Sequence, residues 1–236
     1  MKIALASARF INNNIPYNLS QIRRHMEDAR QKGADLICFG EAFLQGFDAF
    51  SWQYETDKDI AVSTDSALFL SLCDMTAELG VDLLLGFLER DQDTLYSACA
   101  LISEGRLYHL YRRISPGWKE YSRTDHHYQE GPRPAPFVYK EKICMIALCG
   151  DMWDMPNVFA KGEDMLFWPV YVNYTPEEWK NTEQAEYAQQ AALACPRTLF
   201  INSVDDSAFG GACDFSGGNT AAALSMGTEG ILIVET

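Results

Sequence analysis

Apolar and polar positions switch between two periods along the chain, and the switching predicts alternating strands and helices. A run at 2–8 reads as a strand, and a helical pattern follows over 17–31 with Asn18 or Ser20 near its cap and Gly33 beyond its end. A second strand at 35–39 completes a βαβ unit, which requires the two strands to lie parallel. A helix over 65–79 places Leu68, Leu72, Met75 and Leu79 on one face and stops at Gly80. Strands at 81–88, 95–102 and 107–111 come next, the last two joined by the turn Ser103-Glu104-Gly105-Arg106.

Residues 112–136 carry too much Pro, Gly and aromatic side chain for either period, and a loop of this length inside a compact domain usually serves function. An apolar run at 142–149 then reads as a buried strand. After it come a helical signal at 156–161, a strand at 164–172, a helix over 176–194 opened by Thr175 and Pro176, and a strand at 197–204. A glycine-rich stretch at 210–218 precedes closing strands at 221–225 and 230–235. Residues 33–39 and 162–168 echo one another over seven positions, a short repeat that suggests two similar halves, each contributing one sheet to a face-to-face pair.

Composition narrows the class. With 236 residues, 47% of them hydrophobic, the chain has the means to bury one large core, so residues 1–236 are read as a single domain. A net charge of −14 leaves no basic footprint for nucleic acid. No apolar stretch is long enough for a membrane span, and the N-terminus lacks the apolar core and cleavage site of a signal peptide, so a cytoplasmic location is expected. Seven cysteines, an odd number scattered through apolar runs, suit reduced thiols. There is no Cys-x-x-Cys pair, and His126 and His127 adjoin neither a cysteine nor a helical i, i+4 partner, so no metal is expected.

Candidate chemistry sits at two strand ends. The run at 142–149 ends at Cys149 and passes directly into Gly150-Asp151-Met152-Trp153. An isolated cysteine is more often a small buried hydrophobe than a nucleophile. The run at 35–39, however, ends in Gly40-Glu41, which sets a carboxylate at a second strand terminus. A base beside a thiol is the minimum for cysteine nucleophilic catalysis, because the thiolate attacks and the thiol hardly does.

With Glu41 and Cys149 so placed, the chain resembles the nitrilase superfamily of carbon-nitrogen hydrolases. The resemblance runs through Gly40 to Phe43, Tyr111-Arg112-Arg113, Cys149-Gly150-Asp151, Pro169, Trp179, Asn202 and Gly210-Gly211. It implies an α/β fold, an αββα four-layer sandwich with two internally similar halves. It also implies self-association as a homodimer or higher homo-oligomer, and cofactor-free hydrolysis of amides or, less often, nitriles by a glutamate, a lysine and a cysteine. By that resemblance the glutamate is Glu41 and the cysteine Cys149. The lysine position reads Arg113, and the nearest lysine of the loop is Lys119, so either supplies the cation; Lys119 is slightly favoured, since a compact ammonium suits an oxyanion better than a fork. A second glutamate falls at Glu120, with Glu130 competing. Gly150, through its backbone N–H, with Trp153 and Asn173 near the same mouth, is expected to contact substrate, and the aromatic side chains Phe43, Phe47, Trp118, Tyr121, Tyr128 and Tyr174 are further candidates for lining the pocket.

The reaction this implies is hydrolysis of a small linear amide, an ω-amide or a carbamoyl amine, through a thioester with release of ammonia. Two other readings stay open. The arginine departure is compatible with an inactive or regulatory member that binds a ligand, and the same cysteine is able to pass an acyl group to an acceptor other than water. Redox chemistry is disfavoured, since Cys144, five residues upstream, is the nearest cysteine.

Overall fold

The computed structural model describes residues 1–160 and 162–236. Twelve strands divide into two sheets of six. The first has the order β12 (Gly230–Glu235), β1 (Lys2–Ser7), β2 (Leu36–Cys38), β3 (Asp82–Asp91), β4 (Thr94–Ser103), β5 (Arg106–Arg112). The second runs β11 (Asn219–Leu224), β10 (Ala212–Ser216), β9 (Arg197–Asn202), β8 (Met165–Val170), β7 (Lys142–Ile146), β6 (Phe137–Tyr139). Each sheet has three parallel strands at its centre, β1-β2-β3 in one and β7-β8-β9 in the other, flanked by antiparallel neighbours. The two halves are therefore alike in order and direction.

Period-two alternation decides what each sheet faces. Ile3, Leu5, Leu36, Cys38, Leu84, Cys99 and Leu101 share one core cluster with Met145, Leu166, Phe167 and Leu199 of the second sheet. The intervening residues Ala4, Ala6, Ile37, Leu83, Leu85, Ala98 and Ala100 form a second cluster with Ile22 and Met26 of helix α1 (Ile15–Gln31) and Phe69 and Leu72 of α3 (Ala67–Leu79). A one-residue slip in any of these strands would exchange its two faces. Helix α6 (Gln184–Ala192) brings Tyr187, Ala188 and Ala191 into the first cluster, with the Tyr187 ring stacked on Trp168 at 5.1 Å. The layers are helix, sheet, sheet, helix.

Several element boundaries differ from the sequence reading. The cap of α1 is Asn14, whose side chain accepts from the Tyr17 N–H at 3.1 Å; Asn18 is instead buried, bonded to the backbone of Ile11 and Leu44. A short helix α2 (Tyr54–Ile60) lies where no helix is expected. The glycine-rich stretch holds strand β10, because Gly210, Gly211, Gly217 and Gly218, all at positive φ, mark its two ends rather than a continuous loop. The 176–194 helix is three pieces, α5 (Pro176–Glu178), a π turn (Trp179–Glu183) and α6, opened by a Thr175–Glu178 capping box. The 156–161 signal becomes a 3₁₀ turn at Pro156–Val158, preceded by the short helix α4 (Asp151–Asp154); Lys161 lies outside the described residues.

Candidate active site

The end of β8 gathers the chemistry from both sheets. The Glu41 N–H bonds to the Val170 carbonyl at 3.2 Å, the Cys149 N–H bonds to the Pro169 carbonyl at 3.0 Å, and the Cys149 Sγ donates to the Tyr171 carbonyl at 3.6 Å. Three consecutive carbonyls of one chain segment thus hold a carboxylate from the first sheet and a thiol from the second. Two glycines admit this approach. A Cβ on Gly40 would stand 2.4 Å from Ser203 Oγ and 2.9 Å from the Val170 carbonyl, and a Cβ on Gly86 would stand 2.3 Å from the Gly40 carbonyl.

Cys149 has φ of 39°, a left-handed conformation that costs a non-glycine residue on the order of 1–3 kcal/mol. The hydrogen bond from its N–H and one received by its carbonyl from Trp168 Nε1, at 2.9 Å, hold it there. All seven cysteines are free, and six are buried; Cys149 alone keeps partial exposure. Burial and then the Glu41 charge push its thiol up to about 12, against the opposing pull of Arg113. At neutral pH the thiol therefore carries its proton and needs a base to act.

Glu41 is fully buried. Its Oε1 accepts from Ser97 Oγ at 2.8 Å and from Arg113 Nη1 at 2.9 Å, while its Oε2 has no hydrogen-bond partner among the described residues. Ser97 lies on β4 with the parity of the inward-facing Cys99 and Leu101, so the strand's alternation turns its hydroxyl toward the space between the sheets. The sequence reading missed Ser97; a hydroxyl at an inward position of an apolar strand was the available signal.

Arg113 continues β5. Its N–H bonds to the Ser97 carbonyl at 2.9 Å, one step past the Ala98–Arg112 pair, so the sheet register delivers the guanidinium to Glu41. Its Nε donates to Ser115 Oγ at 2.8 Å, and the side chain is 3% exposed. Burial opposes its charge, but the Glu41, Cys149 and Asp151 charges and the bond to Glu41 outweigh it, and its pKa is raised. Asp151 ties this segment to the cysteine turn: its carboxylate accepts from the N–H groups of Leu148 (2.8 Å), Ser115 (2.7 Å) and Ile114 (3.2 Å), and from the Tyr111 hydroxyl at 2.5 Å.

The other sequence candidates lie elsewhere. The Lys119 ammonium bonds to the Tyr128 carbonyl at 2.5 Å and pairs with Glu130 Oε1 at 2.8 Å, and the charges acting on the Cys149 thiol are those of Glu41, Arg113 and Asp151. Glu120 is exposed, whereas Glu130 is partly buried on Lys119. Gly150 directly follows Cys149 and abuts the arginine. Trp153 is 41% exposed, with its ring edge-on to Tyr187 at 4.9 Å, and Asn173 is exposed in the segment before α5. Of the expected pocket aromatics, Phe43 belongs to the helix-side core, and Trp118 and Tyr128 pack with Phe50 in a third buried cluster. Among the described residues, Asp125, His126 and His127 form a group with metal-ligand spacing, and two of the three are exposed.

Two six-stranded sheets with like halves, helices outside, and Glu41 and Cys149 at facing strand ends define an α/β sandwich of a recognisable class. The Carbon-nitrogen hydrolase family model matches residues 2–235, and the chain belongs to that family. It is 28% identical to a nitrilase of Meyerozyma guilliermondii over 49% of this chain and 39% of that protein. It is 24% identical to an N-carbamoylputrescine amidase of Solanum lycopersicum over 75% of this chain and 61% of that protein. The chain thus spans less than two thirds of the length of these curated relatives. Among solved structures, a mutant of the amidase from Nesterenkonia sp. AN1, with the acetamide moiety of fluoroacetamide added covalently at its active site cysteine, superposes with a TM-score of 0.80. That match has 16% identity and covers 99% of this chain and 89% of that one.

Proposed function

We propose that this chain hydrolyses a small linear carboxamide, an ω-amide or a carbamoyl amine, through a Cys149 thioester, with Arg113 as the cation of the site. The observation that carries the reading is the convergence of Glu41, Arg113 and Cys149 on the end of β8. The structurally similar amidase, which carries a covalent adduct on its active site cysteine, and the carbamoylputrescine amidase relative support an amide as substrate.

The Cys149 proton passes to Glu41, whose Oε2 has no hydrogen-bond partner among the described residues. The thiolate attacks the carbonyl carbon, forming the C–S bond and an oxyanion. The Arg113 guanidinium and the Gly150 N–H stabilise that charge. Glu41 returns the proton to the nitrogen as the C–N bond breaks, and ammonia leaves. Water then gives a proton to Glu41 and attacks the thioester carbon; the acid departs and the sulfur regains its proton. Arginine holds a fixed charge throughout, because its proton is not released near neutral pH, so all proton traffic runs through Glu41.

Ammonia release from a panel of ω-amides, carbamoyl amines and the matching nitriles tests the reading, with intact mass spectrometry to trap the acylated protein. Ammonia from amides, with an adduct lost in Cys149→Ala, is expected. Absence of both ammonia and adduct across the panel contradicts it and favours the ligand-binding alternative; an adduct resolved only by an added amine or thiol favours acyl transfer.

A further inference from the structure

Gly150 stands against the arginine fork. A Cβ built on it would lie 2.6 Å from Arg113 Nη2 and 3.3 Å from Ser115 Oγ. An exposed arginine tip would swing away at little cost, but this one is buried and pinned at two further points, Nη1 on Glu41 at 2.9 Å and Nε on Ser115 at 2.8 Å. Displacing Nη2 therefore rotates the whole planar group and disturbs both bonds. The glycine is not there for backbone freedom, since its φ is −62° and its ψ −16°, a conformation any L-residue adopts. What the position requires is the absence of a side chain.

We infer that Gly150 is a positioning residue whose missing side chain seats a guanidinium rather than an ammonium beside Glu41 and Cys149, with Ser115 fixing the fork from its other side. Arg113, Ser115 and Gly150 then form one set: the wider cation needs the bare backbone next to the nucleophile and a hydroxyl to accept from its Nε. A lysine at 113 has no counterpart of Nη2 and leaves that space open. The inference rests on the reading of Arg113 as the site's cation, and its test needs no substrate.

The test is a double-mutant cycle of Gly150→Ala and Arg113→Lys, read by the rate of Cys149 alkylation with iodoacetamide at about pH 8. Six buried cysteines make the reaction selective, and a parallel measurement in Cys149→Ala supplies the background. Turnover of the best amide is the second readout. In the Arg113 protein, Gly150→Ala is expected to slow alkylation about tenfold and to lower turnover by at least that factor, with KM changed much less, the near-UV circular dichroism spectrum kept, and thermal stability lowered as the two buried bonds of the fork are disturbed. In the Arg113→Lys background the same substitution is expected to cost at least fivefold less. Equal losses in the two backgrounds would overturn the inference, as would an unaffected Gly150→Ala protein. If amide turnover is absent from the wild type, the functional reading fails while the alkylation cycle still decides the coupling.

Discussion

Arg113 and Lys119 lie six residues apart in one segment, each with a nearly buried side chain and each paired with a glutamate, yet only one of them meets the thiol's partner carboxylate. The difference is how each is delivered. Arg113 is fixed by sheet register, with its N–H on the Ser97 carbonyl, so its side chain takes the alternation of β5 into the space between the sheets. Lys119 follows where the chain has left the sheet, and it closes the loop on itself through Tyr128 and Glu130. The loop returns alongside β4, with the Leu95 N–H donating to the His127 carbonyl and the Gln129 N–H to the Leu95 carbonyl, and Gly131 is pressed so near Arg112 that a Cβ there would lie 2.4 Å from its carbonyl. Strand continuity, more than residue type, decides which of the two side chains reaches Glu41.

The most severe substitution on the Arg113 side is Cys149→Ala. It is expected to abolish ammonia release from amides while leaving the circular dichroism spectrum and urea midpoint close to wild type, because the thiol is partly exposed and bonds only weakly to Tyr171. Residual steady turnover would move the chemistry to another group. Glu41→Gln removes the proton carrier and is expected to lower turnover by roughly 10²–10⁴. Stopped-flow or discontinuous ammonia assays at saturating amide give the ratio, and a change below tenfold would assign Glu41 to structure.

A third buried basic group sharpens the contrast, because the Asp28 and Glu229 charges acting on it do not outweigh its burial. His25, on α1, is buried beside Arg24, and burial and then the Arg24 charge push its pKa down to about 4, whereas Arg113, beside Glu41, is held charged. The folded protein keeps His25 neutral while the unfolded chain protonates near 6.5, so its contribution is intact above that pH and is lost as pH falls toward about 4. The full loss is roughly 3 kcal/mol. Urea midpoints of wild type and His25→Gln from about pH 7 to about pH 4.5 should show a steeper acid decline in the wild type; parallel declines would refute it. The smallest effect is expected on the Lys119 side. Lys119→Gln removes the partner of a glutamate that is 30% exposed and able to take up water, so a stability loss of about 1–3 kcal/mol in urea titration is expected.

The sequence carried the architecture well, because period-two runs split cleanly between the two faces of each sheet and the two helices α1 and α3 announce their buried faces. It also placed Glu41 and Cys149 just past the ends of two apolar strands, where β2 and β7 stop. It did not carry their meeting point: that depends on Val170, Pro169 and Tyr171 carbonyls of a third strand and on the close approach at Gly40 and Gly86, which are relations across space. Chemical preference alone favours Lys119 over Arg113, and nothing local in residues 112–136 shows that Arg113 still follows the sheet. Ser97 and Ser115 were legible only as small polar residues near the right segments.

The most direct test of the account is the ratio of turnover in Arg113→Gln to that in Lys119→Gln at saturating amide, each shown folded by near-UV circular dichroism. Loss of the site's cation is expected to cost about 10²–10³ in Arg113→Gln, the range for a lost oxyanion donor, with Lys119→Gln within about threefold of wild type. A larger loss in Lys119→Gln than in Arg113→Gln would contradict it.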